Sequence, residues 1–309
     1  MKKNLFITAL TFLTLISCQE QDSAEIQIAE VTKPQTKGDS SNNVSRTAAA
    51  TLIWEDNFDG NTLDTNIWYR QEQATKWVTG TDGQLYTLRT STSAADSWVS
   101  NGSLKLEIRK NSATDYSRVY LRTLEAKART YGYYEAKIWM PLPYGFQGAF
   151  WMMPTSMAGM DCSSSSCPEL GTLNSATDGA ELDIIEGTGG QISSDFRYST
   201  NVHIDGYYAG HPSNWVNTYT YNHPILAVDN IYNRYHTYGF HWTSTFLRWY
   251  IDGYMIREVA IDKWIPDVNE WIILSTSVHP QGDWDGTFDA TKLPATMYVD
   301  WVKVYNTKP

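Results

Sequence analysis

The six residues Glu181-Leu182-Asp183-Ile184-Ile185-Glu186 place three carboxylates in a segment that otherwise reads as a buried β-strand. A buried carboxylate is costly unless it is paired or put to use, so three on one strand point to chemistry. Hydrolysis of a glycosidic bond needs such a set. One carboxylic acid protonates the departing oxygen while a carboxylate meets the developing oxocarbenium ion, attacking it in retaining enzymes. Glu181 and Glu186 are the candidates for this pair. Asp183 would hydrogen-bond to one of them and, by its charge, raise the pKa of whichever acid must stay protonated. The alternative without chemistry is a half-exposed edge strand with solvated acids.

Along a regular strand Glu181 and Asp183 share one face, while Leu182, Ile184 and Glu186 take the other. A β-bulge at Ile184-Ile185 would insert one residue and return Glu186 to the acidic side. The Cα atoms of the two Glu would still lie ~13 Å apart on a flat strand, so curvature and side-chain reach must close the gap.

The elements around this segment are strands. Ser103 to Arg109, Tyr133 to Met140, Ala180 to Glu186, Tyr235 to Trp242, Phe246 to Ile251, Trp271 to Val278 and Met297 to Tyr305 all carry strand-like patterns, and helical periodicity is nearly absent. In Leu104-Lys105-Leu106-Glu107-Ile108-Arg109 one face is apolar and the other charged. Asp252-Gly253 between two such runs signals a hairpin. The folded part, from about Thr51, is of a length for one all-β domain, expected as a sandwich of two antiparallel sheets. One connection, from about Thr155 to Gly179, is too long for an ordinary turn and feeds directly into the acidic strand. It is expected to form a wall of a cleft.

The chain opens with Lys2 and Lys3 before a short apolar run from Leu5 to Ile16, too short to span a bilayer and of secretory-signal type. The run ends Leu15-Ile16-Ser17-Cys18, which resembles a bacterial lipobox with Cys18 as the lipid-modified residue; a plain signal containing a Cys is the alternative. Gln19 to Thr47 is polar and lacks aromatic residues, as expected of a tether that cannot build a core. The expected organisation is residues 1–17 signal, 18–50 disordered tether and 51–309 catalytic domain, lipid-anchored on the periplasmic or outer face of a cell envelope. Cys162 and Cys167 suit a disulfide in that compartment better than a metal site, since no second ligand pair accompanies them. The formal charge of −10 excludes nucleic acid or anionic lipid as natural partners. A chain with 13 Trp and 20 Tyr carries flat amphipathic rings suited to sugar faces.

The acidic segment resembles the bulged active-site signature of glycoside hydrolase family 16. The resemblance extends in order through Asp56-Asn57-Phe58-Asp59-Gly60, Tyr131 to Lys137, Gly148 to Pro154, His236 to Trp242, Trp249 to Gly253 and Tyr298 to Tyr305. It implies an all-β jelly-roll sandwich of the concanavalin A-like lectin/glucanase type with a substrate cleft on the concave sheet. It also implies retaining endo-β-glycanase activity, with Glu181 as nucleophile, Glu186 as general acid/base and Asp183 assisting. By the same resemblance Trp151, His203 and Trp284 are expected to touch substrate, with Trp77, Trp98 and Trp215 at more distant sugars.

Two departures bear on substrate and metal. Gln147-Gly148-Ala149 stands where β-1,3-glucan-cleaving members carry Trp-Pro-Ala, and the run His203-Ile204-Asp205-Gly206-Tyr207-Tyr208, with His211 beyond, is closer to branches acting on galactose-containing polymers. The expectation is therefore an endo-β-galactosidase acting on galactan or mucin-type glycans, with a laminarinase-like endo-β-1,3(4)-glucanase as the alternative. A non-catalytic carbohydrate-binding sandwich is the second class, and it would have no use for clustered acids. No cofactor is expected to be required. Structural Ca²⁺, held in many members by an acid near the first strand and the Asp of the last, is left possible by Asp300, but Asn57 replaces the usual acid. The protein is expected to be a monomer.

Overall fold

The alternation seen in Leu104, Leu106 and Ile108 is realised as a strand whose three apolar side chains are fully buried, and the same rule builds the rest of the molecule. The computed structural model describes residues 49–140, 145–155, 175–176, 179–187, 198–204, 214–215, 218–219, 231–232, 234–260, 262–280 and 288–309. Among them the strands run in chain order β1 (Leu52–Asp56), β2 (Trp68–Arg70), β3 (Lys76–Thr79), β4 (Leu85–Thr90), β5 (Ser97–Ser100), β6 (Ser103–Ile108), β7 (Asp115–Thr123), β8 (Gly132–Trp139) and β9 (Phe146–Pro154). They continue with β10 (Glu181–Gly187), β11 (Tyr198–Ile204), β12 (Asn214–Trp215), β13 (Thr218–Tyr219), β14 (His236–Trp242), β15 (Leu247–Ile251), β16 (Tyr254–Val259), β17 (Glu270–Val278) and β18 (Ala295–Tyr305). The only helical segments among the described residues are three short 3-10 turns, at Glu125–Lys127, Asp262–Trp264 and Ala290–Lys292.

The strands divide into two sheets packed as a sandwich. An eight-stranded sheet has the order β16-β15-β14-β8-β18-β6-β5, with β1 beside β18. A ten-stranded sheet has the order β12-β11-β10-β9-β17-β7-β4-β3, with β13 on β11 and β2 on β7. Pairing is antiparallel except between β4 and β7. This is the all-β jelly-roll sandwich expected from the sequence. Between the sheets lie Tyr238, Phe240, Trp242 and Trp249 of the first and Val119, Leu121, Phe150, Met152, Leu182, Ile184, Ile185, Ile272 and Leu274 of the second.

The Asp252-Gly253 hairpin forms as the dipeptide requires. Both residues have positive φ, 49° and 81°, and Ile251 pairs directly with Tyr254 across the turn. On β6 the charged face is less exposed than its composition suggests. The Lys105 ammonium is tied to the Ser100 carbonyl and to the carbonyl and hydroxyl of Ser103, which lets its stem lie flat on the sheet.

The bulge in β10 is present. Its register against β11 shifts between Asp183 and Glu186, and against β9 between Asp183 and Ile185. Energetics favour it. Without the extra residue, Ile185 would leave the core and Glu186 would enter it. A buried apolar side chain contributes about 1.5–3 kcal/mol, whereas an uncompensated buried carboxylate costs several. The ladder bond disturbed by a bulge is worth only about 0.5–1.5 kcal/mol net. Ile184 and Ile185 are both buried in the core as a result.

Candidate active site

Directly paired residues in a sheet project on the same face, so the bulged register decides which side chains meet. Asp183 pairs with Trp151 on β9 and Asn201 on β11; Glu186 pairs with Ala149 and Ser199; Glu181 pairs with His203. All lie on the face of the ten-stranded sheet turned away from the core. The structure thus brings Glu181, Asp183, Glu186, His203 and Trp151 together. Asp183 is 1% exposed and Glu186 7%.

Glu186 is held by three donors. Its Oε1 accepts from Gln147 Nε2 at 2.7 Å, and its Oε2 from the Ser199 hydroxyl at 2.8 Å and Asn201 Nδ2 at 3.0 Å. These favour the ionised form, but burial and the charge of Asp183 outweigh them and push the pKa up to about 8. A carboxyl raised this far can take up a proton near neutral pH and give it away. Burial also raises Glu181 well above the usual carboxylate range, with Asp183 and Glu186 adding to it and His203 opposing.

His203 supplies the compensating charge. Its Nε2 lies 3.0 Å from Asp183 Oδ2 and 3.7 Å from Glu181 Oε1. Burial alone would depress it, but the hydrogen bond and charge of Asp183, with Glu181 and Glu186 behind, overcome that and raise it to about 9. The cationic form is therefore favoured near neutral pH, with Nε2 directed at the acids. Behind β11 the guanidinium of Arg257 bonds to the carbonyl and hydroxyl of Thr200 and stacks 4.5 Å over Trp249.

Trp151 donates its indole N–H to the Ser275 hydroxyl at 3.0 Å and meets Tyr120 edge-on at 6.2 Å. It belongs to a small apolar cluster with Ala149, Met153, Trp271 and Ile273 on the same outer face. Farther along the sheet, Trp77 on β3 is 63% exposed. Trp98 is a correction: it lies on β5 in the eight-stranded sheet, and because its neighbour Val99 points into the core it faces outward, remote from the acids. Trp215 pairs with His203 through its backbone. Cys18, Cys162, Cys167, His211 and Trp284 lie outside the described residues, as does nearly all of the loop expected to wall a cleft.

Glu181, Asp183 and His203 offer ligand atoms within 4.8 Å of one another, the only such group among the described residues. Within this group His203 Nε2 is paired with Asp183 Oδ2 at 3.0 Å. Asp300, through which the sequence leaves structural Ca²⁺ possible, has a basic partner. Asp300 is neutralised by the Lys137 ammonium at 2.7 Å.

Sequence reasoning passed over Ser199, Asn201 and the hydrogen-bonding role of Gln147. The first two were readable, for they precede His203 at two-residue intervals and share its face.

A two-sheet sandwich whose bulged strand gathers three carboxylates on one face, with His203 beside them, fits a carbohydrate-cleaving class of protein. The family described as Beta-porphyranase A-D, GH16 domain, matches residues 53–307. The chain belongs to glycoside hydrolase family 16. Its relatives include glucan endo-1,3-beta-glucosidase A1 of Niallia circulans, 26% identical over 84% of this chain but only 38% of that protein. The beta-glucanase of Rhodothermus marinus is 25% identical over 82% of this chain and 84% of its own length. The catalytic domain of an endo-1,3-beta-glucanase (laminarinase) from Thermotoga petrophila superposes with a TM-score of 0.62 at 25% identity, covering 84% of this chain and 99% of that one.

Proposed function

We propose that this protein is a retaining endo-β-glycosidase in which Glu181 attacks the anomeric carbon and Glu186 is the general acid and then base. The observation that carries this reading is the bulge that returns Glu186 to the face of Glu181 and Asp183. In the first step Glu186 gives its proton to the departing oxygen while Glu181 forms the glycosyl ester. In the second, Glu186 takes a proton from water as the ester is hydrolysed. Asp183 and the His203 imidazolium balance charge as the proton leaves Glu186 and returns.

For the polymer, the named relatives favour a β-1,3- or β-1,3(4)-glucan over the β-galactoside expectation. Porphyran, for which the matching family is named, is the second reading and the form in which the galactoside expectation survives. It is favoured by Gln147, which replaces the Trp of the β-1,3-glucan pattern and bonds directly to Glu186. The leader and Cys18 support secretion with a lipid anchor. Reducing-end release from laminarin, mixed-linkage glucan, porphyran, agarose and mucin-type glycans tests the polymer. Turnover abolished by Glu181→Gln with binding retained tests the chemistry, and a near-normal rate in that variant would overturn the assignment. Release from none of these polymers would return the protein to the class of binding sandwiches.

A further inference from the structure

Gln147 has a neighbour on each end of its amide. Nε2 donates to Glu186 Oε1 at 2.7 Å, and Oε1 lies 3.0 Å from His279 Nε2. Gln147 sits on β9 opposite Ser277, and His279, just past the end of β17, is fixed by its backbone N–H bonding to the Gly145 carbonyl at 2.8 Å. A primary amide is directional: one end only donates, the other only accepts. Here it lies between two groups that each change between donor and acceptor, a carboxyl that gains and loses a proton and an imidazole with two tautomers.

We propose that Gln147, oriented by His279, is a positioning residue for the general acid/base: it donates to Glu186 in the carboxylate state and turns its acceptor end to Glu186 in the acid state. This rests on Glu186 being that residue. When Glu186 is ionised, His279 in its Nε2–H form donates to Gln147 Oε1 and the amide N–H supports the carboxylate. When Glu186 carries a proton on Oε1, an amide left in that orientation would set hydrogen against hydrogen. The amide inverts, accepts from the acid, and donates to His279 in its Nδ1–H form. In each state both ends of the amide are satisfied, with the proton held on the oxygen opposite the one fixed by Ser199 and Asn201.

The other groups bearing on Glu186 are Asp183 and Glu181 on its own strand, which oppose its ionisation, and His203 on β11, which favours it. None of them contacts Gln147 among the described interactions, so the amide is a separable influence.

The test is a pair of variants, Gln147→Leu and His279→Phe, assayed for kcat and KM across pH on the polymer the native enzyme cleaves. Gln147→Leu removes a charge-assisted bond to the carboxylate and a weaker neutral bond to the acid, so the alkaline limb is expected to move upward by about one pH unit, with kcat lowered about tenfold and KM little changed. His279→Phe should move the limb the same way by less, and Gln147→Asn, too short to reach, should resemble Gln147→Leu. A change in KM alone, or an unmoved alkaline limb with normal kcat, would overturn the proposal and leave Gln147 as a sugar contact or a packing residue. A Glu186→Gln control keeps the two readings apart. If that variant loses the polymer reaction but keeps fast release of an activated aryl β-glycoside, whose leaving group needs no proton, Glu186 is the acid whatever the Gln147 variants do.

Discussion

The indole N–H of Trp249 on β15 donates to the backbone carbonyl of Asp183 on β10, 2.8 Å away. That carbonyl stands where the register with both neighbouring strands shifts, so the opposite sheet supports the bulge that the ladder disturbs. Arg257 stacks on the same indole, and Phe240 packs against it at 5.0 Å. The core therefore sets the position of the acids as well as their burial.

Replacing Trp249 by Phe keeps most of the apolar volume and removes this donor. A buried carbonyl left short of a partner costs about 1–3 kcal/mol. In a domain of this size that corresponds to a melting temperature lower by roughly 2–4 °C per kcal/mol. We expect that drop in a calorimetric scan, together with a fall in kcat because Asp183 loses its fixed position. An unchanged kcat in a destabilised variant would separate the bulge from the chemistry.

The pKa of Glu186 near 8 has two consequences of opposite use. In the proposed mechanism activity requires Glu186 as the protonated acid, so kcat/KM should fall as pH rises through about 8. Stability has its own sign. Between the ordinary glutamate value of 4.5 and about 8, the native state holds a proton that the unfolded chain has released, so this group's contribution falls with rising pH. Glu186→Gln removes that penalty. The variant should match the native protein in urea unfolding at pH 4 and exceed it at pH 9, and a constant difference at both would show that the carboxyl is not protonated in the folded state.

Much of this was legible in the sequence, because it rests on period-2 alternation. Leu182, Ile184 and Ile185 against Glu181, Asp183 and Glu186 admit one sorting, and the bulge follows from the cost of the other. Contacts that depend on register between strands distant in sequence were not legible. Glu186 meets Gln147 only because β10 lies beside β9, and Trp249 reaches Asp183 only across the sandwich. Trp98 was misplaced for the same reason, since composition marks an aromatic as fit for sugar but does not say which sheet carries it. His203 was found through the family resemblance, yet its charge became apparent only with Asp183 at 3.0 Å.

His203 should act through Glu181. As an imidazolium 3.7 Å from Glu181 Oε1, it favours ionisation of Glu181, the proposed nucleophile, against burial and two neighbouring acids. His203→Gln keeps a donor and loses the charge. The acid limb of the rate profile is then expected to move to higher pH, lowering kcat at pH 6 about tenfold with partial recovery toward pH 8. A uniform loss at every pH would instead assign His203 a geometric role.

Trp151 is where packing and recognition compete. Its neighbours Ala149, Met153, Trp271 and Ile273 make it part of an apolar cluster, and its indole N–H is engaged by Ser275. It also pairs with Asp183, so whatever surface it presents lies on the face that carries the acids. Trp151→Phe preserves a ring and forfeits the Ser275 bond along with part of the stacking area. If a sugar ring rests on it, kcat/KM should fall about tenfold, mostly through KM, while the melting temperature moves by only a few degrees. If Trp151 only fills the cluster, the balance reverses, with kcat/KM held and the melting temperature lowered, and the sugar-stacking role passes to another aromatic residue on this face.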